Sequence, residues 1–103
     1  MCGIVAYIGP REAAELVLEG LQRLEYRGYD SAGIAVASPQ GIERRRSVGK
    51  LANLTQVLAE QPLHGCAGMG HTRWATHGGV CEANAHPHTD DSGAIVVIQN
   101  GIV

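Results

Sequence analysis

The 103-residue sequence contains no phenylalanine, one tryptophan and three tyrosines. A core built on large aromatic side chains is therefore excluded, and burial must come from Ala, Val, Ile and Leu. No apolar run approaches the ~20 residues that span a bilayer, so no membrane partner is expected. The N-terminus lacks the basic and long apolar regions of a secretory signal. The three cysteines, Cys2, Cys66 and Cys81, form neither a Cys-x-x-Cys pair nor an even disulfide framework. Reduced thiols and a cytoplasmic setting are the expectation. Basic residues show no excess, 8 against 10 acidic, which argues against a nucleic-acid partner. The one basic cluster, Arg44-Arg45-Arg46, reads as a solvated strand or loop edge rather than a phosphate or RNA site.

What the sequence does hold is 45% hydrophobic residues, enough for a core, and 14 glycines, which point to tight turns and close backbone approaches. Gly3 to Ile8 reads as a buried strand ending at Gly9-Pro10. Arg11 to Glu25 places Ala13, Leu16, Val17, Leu21 and Leu24 on one helical stripe. A polar loop, 26–31, leads to an apolar strand from Gly33 to Ala37. Ser38-Pro39-Gln40-Gly41 is a turn, and a more exposed strand follows from Ile42 to Val48. Leu51 to Glu60 is a short helix, and Cys66 to His71 another strand. Residues 72–91 are nearly free of aliphatic bulk and read as a long functional loop. Ala94 to Ile98 reads as a buried strand. Strands outnumber helices, so the expected class is α+β or a layered α/β arrangement, in one domain or a piece of one.

Chemistry starts at Cys2. Methionine before a small residue is commonly removed, which would leave Cys2 with a free α-amino group. A thiol titrates near ~8.5 and an α-amino group near ~7.7–8.0, so one residue would hold nucleophile and base together. Taken alone, Cys2 reads more simply as a small hydrophobe at a strand start. Asn100-Gly101 alone likewise reads as a hairpin turn. A metal site from His77, Cys81, His86 and His88 matches no standard zinc spacing. An extended His86-Pro87-His88 would also send its two rings to opposite sides. No metal or organic cofactor is expected.

The longer words shift these readings. Cys2-Gly3-Ile4-Val5 is followed by Leu24-Glu25-Tyr26-Arg27-Gly28-Tyr29-Asp30-Ser31-Ala32-Gly33. Then come His71-Thr72-Arg73-Trp74-Ala75-Thr76-His77-Gly78, Asn84-Ala85-His86-Pro87 and Asn100-Gly101. Together they resemble the class II glutamine amidotransferases, and most of all the glutaminase domains of the glucosamine-6-phosphate synthases. The resemblance covers the whole chain. It implies an N-terminal-nucleophile hydrolase fold, a four-layer αββα sandwich with antiparallel sheets, of which residues 1–103 would be roughly the first half.

It also implies roles. Cys2 would attack the side-chain amide of glutamine, the substrate. Asn100 and Gly101 would form the oxyanion hole. Arg73 would bind the α-carboxylate, since a guanidinium fork matches a carboxylate on two oxygens. Trp74 to Cys81 would close over glutamine, with Gly78-Gly79 as hinge and Thr76 and His77 holding substrate. Arg27 and Gly28 would lie beside the nucleophile, and His86 would tie down the loop end. The ammonia would convert fructose-6-phosphate to glucosamine-6-phosphate in a sugar-phosphate isomerase domain absent here, the full-length form being a homodimer. Two departures stand out: Gln99 where relatives usually carry histidine, and Gly79-Val80-Cys81 in place of an acidic, proline-containing loop. Glutaminase service to a different synthase, or a non-catalytic binding role, remain open alternatives.

Overall fold

The computed structural model describes residues 2–74 and 79–99, with the side chain of Arg27 left aside. The α+β expectation is met. Among the described residues there are two α-helices and two antiparallel sheets. The larger sheet contains β1 (Gly3–Ile8), β2 (Ser31–Ser38), β3 (Gly41–Val48) and β4 (Ala67–Arg73) in the order β1-β4-β2-β3. Helix α1 (Ala13–Arg23) joins β1 to β2 by way of a 3₁₀ turn at Glu25–Arg27, and α2 (Leu51–Glu60) joins β3 to β4. The smaller sheet pairs β5 (His88–Thr89) with β6 (Val96–Val97).

Alternation along the strands gives the large sheet two different faces. On one face Ile34 and Val36 of β2 meet Val17 and Leu21 of α1 and Leu51 and Leu54 of α2, all fully or almost fully buried. The helices form there because their apolar residues recur at helical spacing, Ala13-Val17-Leu21 and Leu51-Leu54. Glu15 in the first turn of α1 and Arg23 in its last turn complement the helix dipole. The α1 N-terminus is tied to the β4 approach: Ala13 N–H donates to the Gly65 carbonyl at 2.8 Å, and Gly65 N–H to Glu12 at 3.1 Å. Helix α1 can lie this close because β4 offers glycine where side chains would stand. A Cβ at Gly70 would come 2.5 Å from Val17 Cγ1 and 3.0 Å from Leu21 Cδ1.

The other face is split. Toward the Arg73 end it carries His71 and the Arg44 and Arg46 positions and is covered by the 82–89 segment. Toward the Ile8 end Ala6, Ala35, Ala37, Ile42 and Met69 line an apolar concavity of about 360 Å³.

Three sequence expectations need correction. Helix α1 is shorter than 11–25, because the chain tightens into the 3₁₀ turn after Leu24. The 72–91 loop has local structure, a 3₁₀ turn at Glu82–Asn84 and strand β5. Ala94 to Ile98 is not buried: only Val96–Val97 forms strand, and Ile95 and Val97 are 64% and 57% exposed. Apolar composition alone cannot bury a strand, which also needs a layer packed over it, and among the described residues β6 pairs with the two-residue β5.

Gly70→Ala is expected to destabilise the fold by about 1–3 kcal/mol through overpacking against α1. Gly79→Ala, with nothing within 4 Å of the added methyl, is the control. Denaturant melts of both variants check the difference, and equal midpoints would contradict the close helix approach.

Candidate active site

The site lies at the end of β4, where three chain segments meet. β4 is antiparallel to both neighbours, so its last residues stand beside the first residues of β1 and β2. Gly3 pairs with Thr72, and Ser31 pairs with Arg73. Continuing each ladder one step brings Cys2 and Asp30 to the same end. Trp74 N–H points at Cys2 Sγ, 3.5 Å away, and the Trp74 carbonyl lies 3.9 Å from the same sulfur. Asp30 N–H donates to the Arg73 carbonyl at 2.7 Å. Cys2 is half-buried, and none of the three cysteines is disulfide-bonded.

Gly28 closes the 3₁₀ turn, with its Cα side toward the Trp74 ring. Trp74 is 49% exposed and forms one wall of a cleft of about 470 Å³, together with Glu25, Tyr29, Asp30 and Lys50. The smaller concavity at the Ile8 end of the sheet is lined mainly by Ala, Ile, Val and Met side chains and does not include Cys2. The Arg73 guanidinium donates to the Gly79 carbonyl at 3.1 Å, and Asn84 Nδ2 donates to the same oxygen at 2.9 Å. The far end of the 74–81 segment is thus held at Arg73. Of the expected site residues, the structure brings Cys2, Arg73, Trp74 and Gly28 together. Thr76, His77, Asn100 and Gly101 lie outside the described residues, as does the side chain of Arg27.

This chain is 57% identical over 104 residues to the isomerizing glutamine–fructose-6-phosphate aminotransferase of Streptomyces coelicolor. The alignment covers 100% of the chain and 17% of that relative. The same-named enzyme of Thermus thermophilus is 57% identical over 102 residues, 99% of the chain and 17% of the relative. That of Escherichia coli is 58% identical over 104 residues, 100% of the chain and 17% of the relative. Over its full length the chain is similar to the N-terminal 17% of these aminotransferases. No family model matches the chain. The chain spans about 17% of the length of these aminotransferases.

His86 stands behind the site. Its Nδ1 accepts the Gln99 N–H at 3.4 Å. Its ring lies 4.3 Å from that of His71 and 4.5 Å from that of His88. The expected opposite orientation of the His86 and His88 rings is therefore wrong. The His86–Pro87 peptide is cis, and the segment is not extended. Among the described residues, no group of three His, Cys, Asp or Glu side chains is arranged to hold a metal ion.

Arg44 and Arg46 also depart from expectation. Arg44 Nη1 donates to the Pro87 carbonyl at 3.0 Å, and Arg46 Nη1 to Ala85 at 3.1 Å and Ala83 at 3.4 Å. They bind a loop instead of forming a solvated edge. Asn84 was inside a quoted motif but carried no role. The missed signal for the arginines was alternation: in a strand, residues 44 and 46 share a face that 45 does not.

Burial, and then the nearby His88 and Arg73 charges, hold His86 below its ordinary value of 6.5. His88 is lowered by burial, then by Arg46, Arg44 and Arg73. Both rings are thus neutral near pH 7, and a neutral His86 can accept at Nδ1. In the unfolded chain both rings protonate near 6.5. The stability from their lowered folded values is complete above that pH and is lost as pH falls through those values. Melting temperature is expected to fall on acidification below pH 6.5. The double variant His86→Gln/His88→Gln should show a shallower fall, and an unchanged slope would contradict this assignment. Asp90, lowered below 3.8 chiefly by the Ser92 hydroxyl, acts in a more acidic window.

Proposed function

We propose that this chain carries the glutamine-hydrolysing chemistry of an isomerizing glutamine–fructose-6-phosphate aminotransferase. The observation that supports it most is the meeting of Cys2, Trp74 and Arg73 at one strand end. The identity to the same-named relatives supports it independently.

In this reading Met1 is removed and the Cys2 α-amino group takes the thiol proton, directly or through water. The thiolate attacks the side-chain amide carbon of glutamine, and the carbonyl electrons move onto oxygen. The Asn100 amide and the Gly101 N–H stabilise that oxyanion. The oxyanion collapses, the C–N bond breaks, and the nitrogen leaves as ammonia after gaining a proton. Water then attacks the glutamyl thioester, releasing glutamate and restoring the Cys2 thiol. Arg73 binds the α-carboxylate, and Trp74, Thr76 and His77 hold the substrate within the closing 74–81 segment. Arg27 and Gly28 shape the wall beside the nucleophile. No step calls on a metal or organic cofactor.

At the level of the whole enzyme, the ammonia aminates fructose-6-phosphate in a sugar-phosphate isomerase domain, and the enzyme works as a homodimer. Residues 1–103 are the first part of a four-layer αββα N-terminal-nucleophile domain. Its second sheet would begin with β5 and β6 and would cover the apolar end of the β1-β4-β2-β3 face.

In the complete protein, Cys2→Ala is expected to abolish glutamine hydrolysis while sparing amination from free ammonia. Residual hydrolysis above about 10⁻³ of wild type would place the nucleophile elsewhere. Mass spectrometry of active protein should show a chain beginning at Cys2.

Arg73→Lys is expected mainly to raise the glutamine KM, because charge remains but the two-toothed contact is lost. Asn100→Ala should instead lower kcat by about 10²–10³ with little change in KM. Steady-state kinetics separate the two, and exchanged phenotypes would overturn both roles.

A further inference from the structure

Resting on the glutaminase reading, we propose that Arg44 and Arg46 are positioning residues for the chain entering Asn100, acting through His86 and the Gln99 amide. The argument begins with alternation on β3. Arg44 and Arg46 reach the 83–87 segment, whereas Arg45 reaches the opposite way, donating from Nε to the Gln61 carbonyl at 3.1 Å. The three consecutive cations therefore do two different jobs.

Arg44 and Arg46 supply donors to three carbonyls, those of Ala83, Ala85 and Pro87. Ala85 and Pro87 are buried, so their carbonyls need partners away from water. A charged donor makes the stronger kind of hydrogen bond. These contacts fall on either side of His86 in sequence. Beneath His86 lies Gly33 of β2, where an added Cβ would collide with the His86 carbonyl. The same Cβ would stand 3.0 Å from Arg46 Cγ. Arg46 thus packs its stem beside the glycine and its head on the loop.

His86 is consequently held before it, after it and below it. Its ring is further set between those of His71 and His88. Its Nδ1 accepts the Gln99 N–H. Asn100 follows in the sequence. An oxyanion donor has to be placed within fractions of an ångström, and that precision comes from rigid support behind it. Arg44, Arg46 and Gly33 provide such support from the edge strand β3 and its neighbour β2.

The test uses the complete protein with Arg44→Met and Arg46→Met, singly and together, and with Arg45→Met as control. Methionine keeps an apolar stem and removes the carbonyl donors. The double variant should lose about 10–100-fold in kcat for glutamine hydrolysis, with KM nearly unchanged. Arg46→Lys should recover part of the loss. Hydrogen exchange at the Gln99 amide should speed up by about 10-fold or more in the double variant. Arg45→Met should leave kinetics and Gln99 exchange at wild-type values. Raised KM at constant kcat, an equal defect in Arg45→Met, or unmoved Gln99 exchange would each overturn the proposal. Where the double variant unfolds, either single arginine variant carries the same readouts. If the complete wild-type protein does not hydrolyse glutamine, the glutaminase reading fails, and the Gln99 exchange data then decide the Arg44–Arg46 clamp separately.

Discussion

Every group at the site depends on the insertion of β4 between β1 and β2. Both pairings are antiparallel, and both registers run without a break from the Ile8 end to the Arg73 end. Hydrogen bonds of that kind fix position along the strand to one residue, and a slip of one would turn every side chain to the other face. Such a slip would put the apolar Val5, Ile34 and Val36 side chains away from the helices. Burial on the helix side thus holds the register, and the register sets Cys2 beside the Arg73–Trp74 corner. Packing energy in α1 and α2 is in this way converted into the placement of a thiol.

The same strand separates two kinds of environment. On the helix face the glycines of β4 let Val17 and Leu21 sit almost on the backbone. On the opposite face β4 carries Met69 toward one end and His71 toward the other. The polar half of that face gathers histidines and arginines under a loop, and burial first, with the nearby positive charge second, keeps His86 and His88 neutral. A neutral ring is what the Gln99 amide requires of His86. Charge arrangement and hydrogen-bond direction are therefore one constraint.

Much of this was legible in the sequence where one pattern controlled the outcome. The Gly3–Ile8 strand and the Leu51–Glu60 helix have the expected bounds, but the strand is not buried as expected: Ile4 and Ile8, facing away from the helices, are 46% and 85% exposed. The β4 strand was legible too, though it runs to Arg73, two residues beyond the expected end at His71. Ala94 to Ile98 was misread because its hydrophobicity says nothing about which layer covers it. The Arg44–Arg46 cluster was misread because composition treats three arginines as one patch, while a pleated strand deals them to two faces. The geometry of His86 and His88 depended on the turn at Pro87, which an extended reading of three residues could not supply. Grouping Cys2 with Arg73 and Trp74 rested on resemblance, because 71 residues separate the thiol from the guanidinium and no local pattern spans that distance.

The sheet order also has a consequence in time. Of the four strands β1 comes first in the sequence, yet β4, its partner among the described residues, comes last. Until residues 67–73 exist, β2, β3 and α2 can begin to pack, while β1 has no strand to join. Synthesis at about 5–20 residues per second leaves that interval at several seconds. During it the backbone groups of β1 have water as their partners, and the six pairings from Gly3–Thr72 to Ile8–Ala67 then form together. Chain order thus makes β4 the strand whose completion closes the sheet.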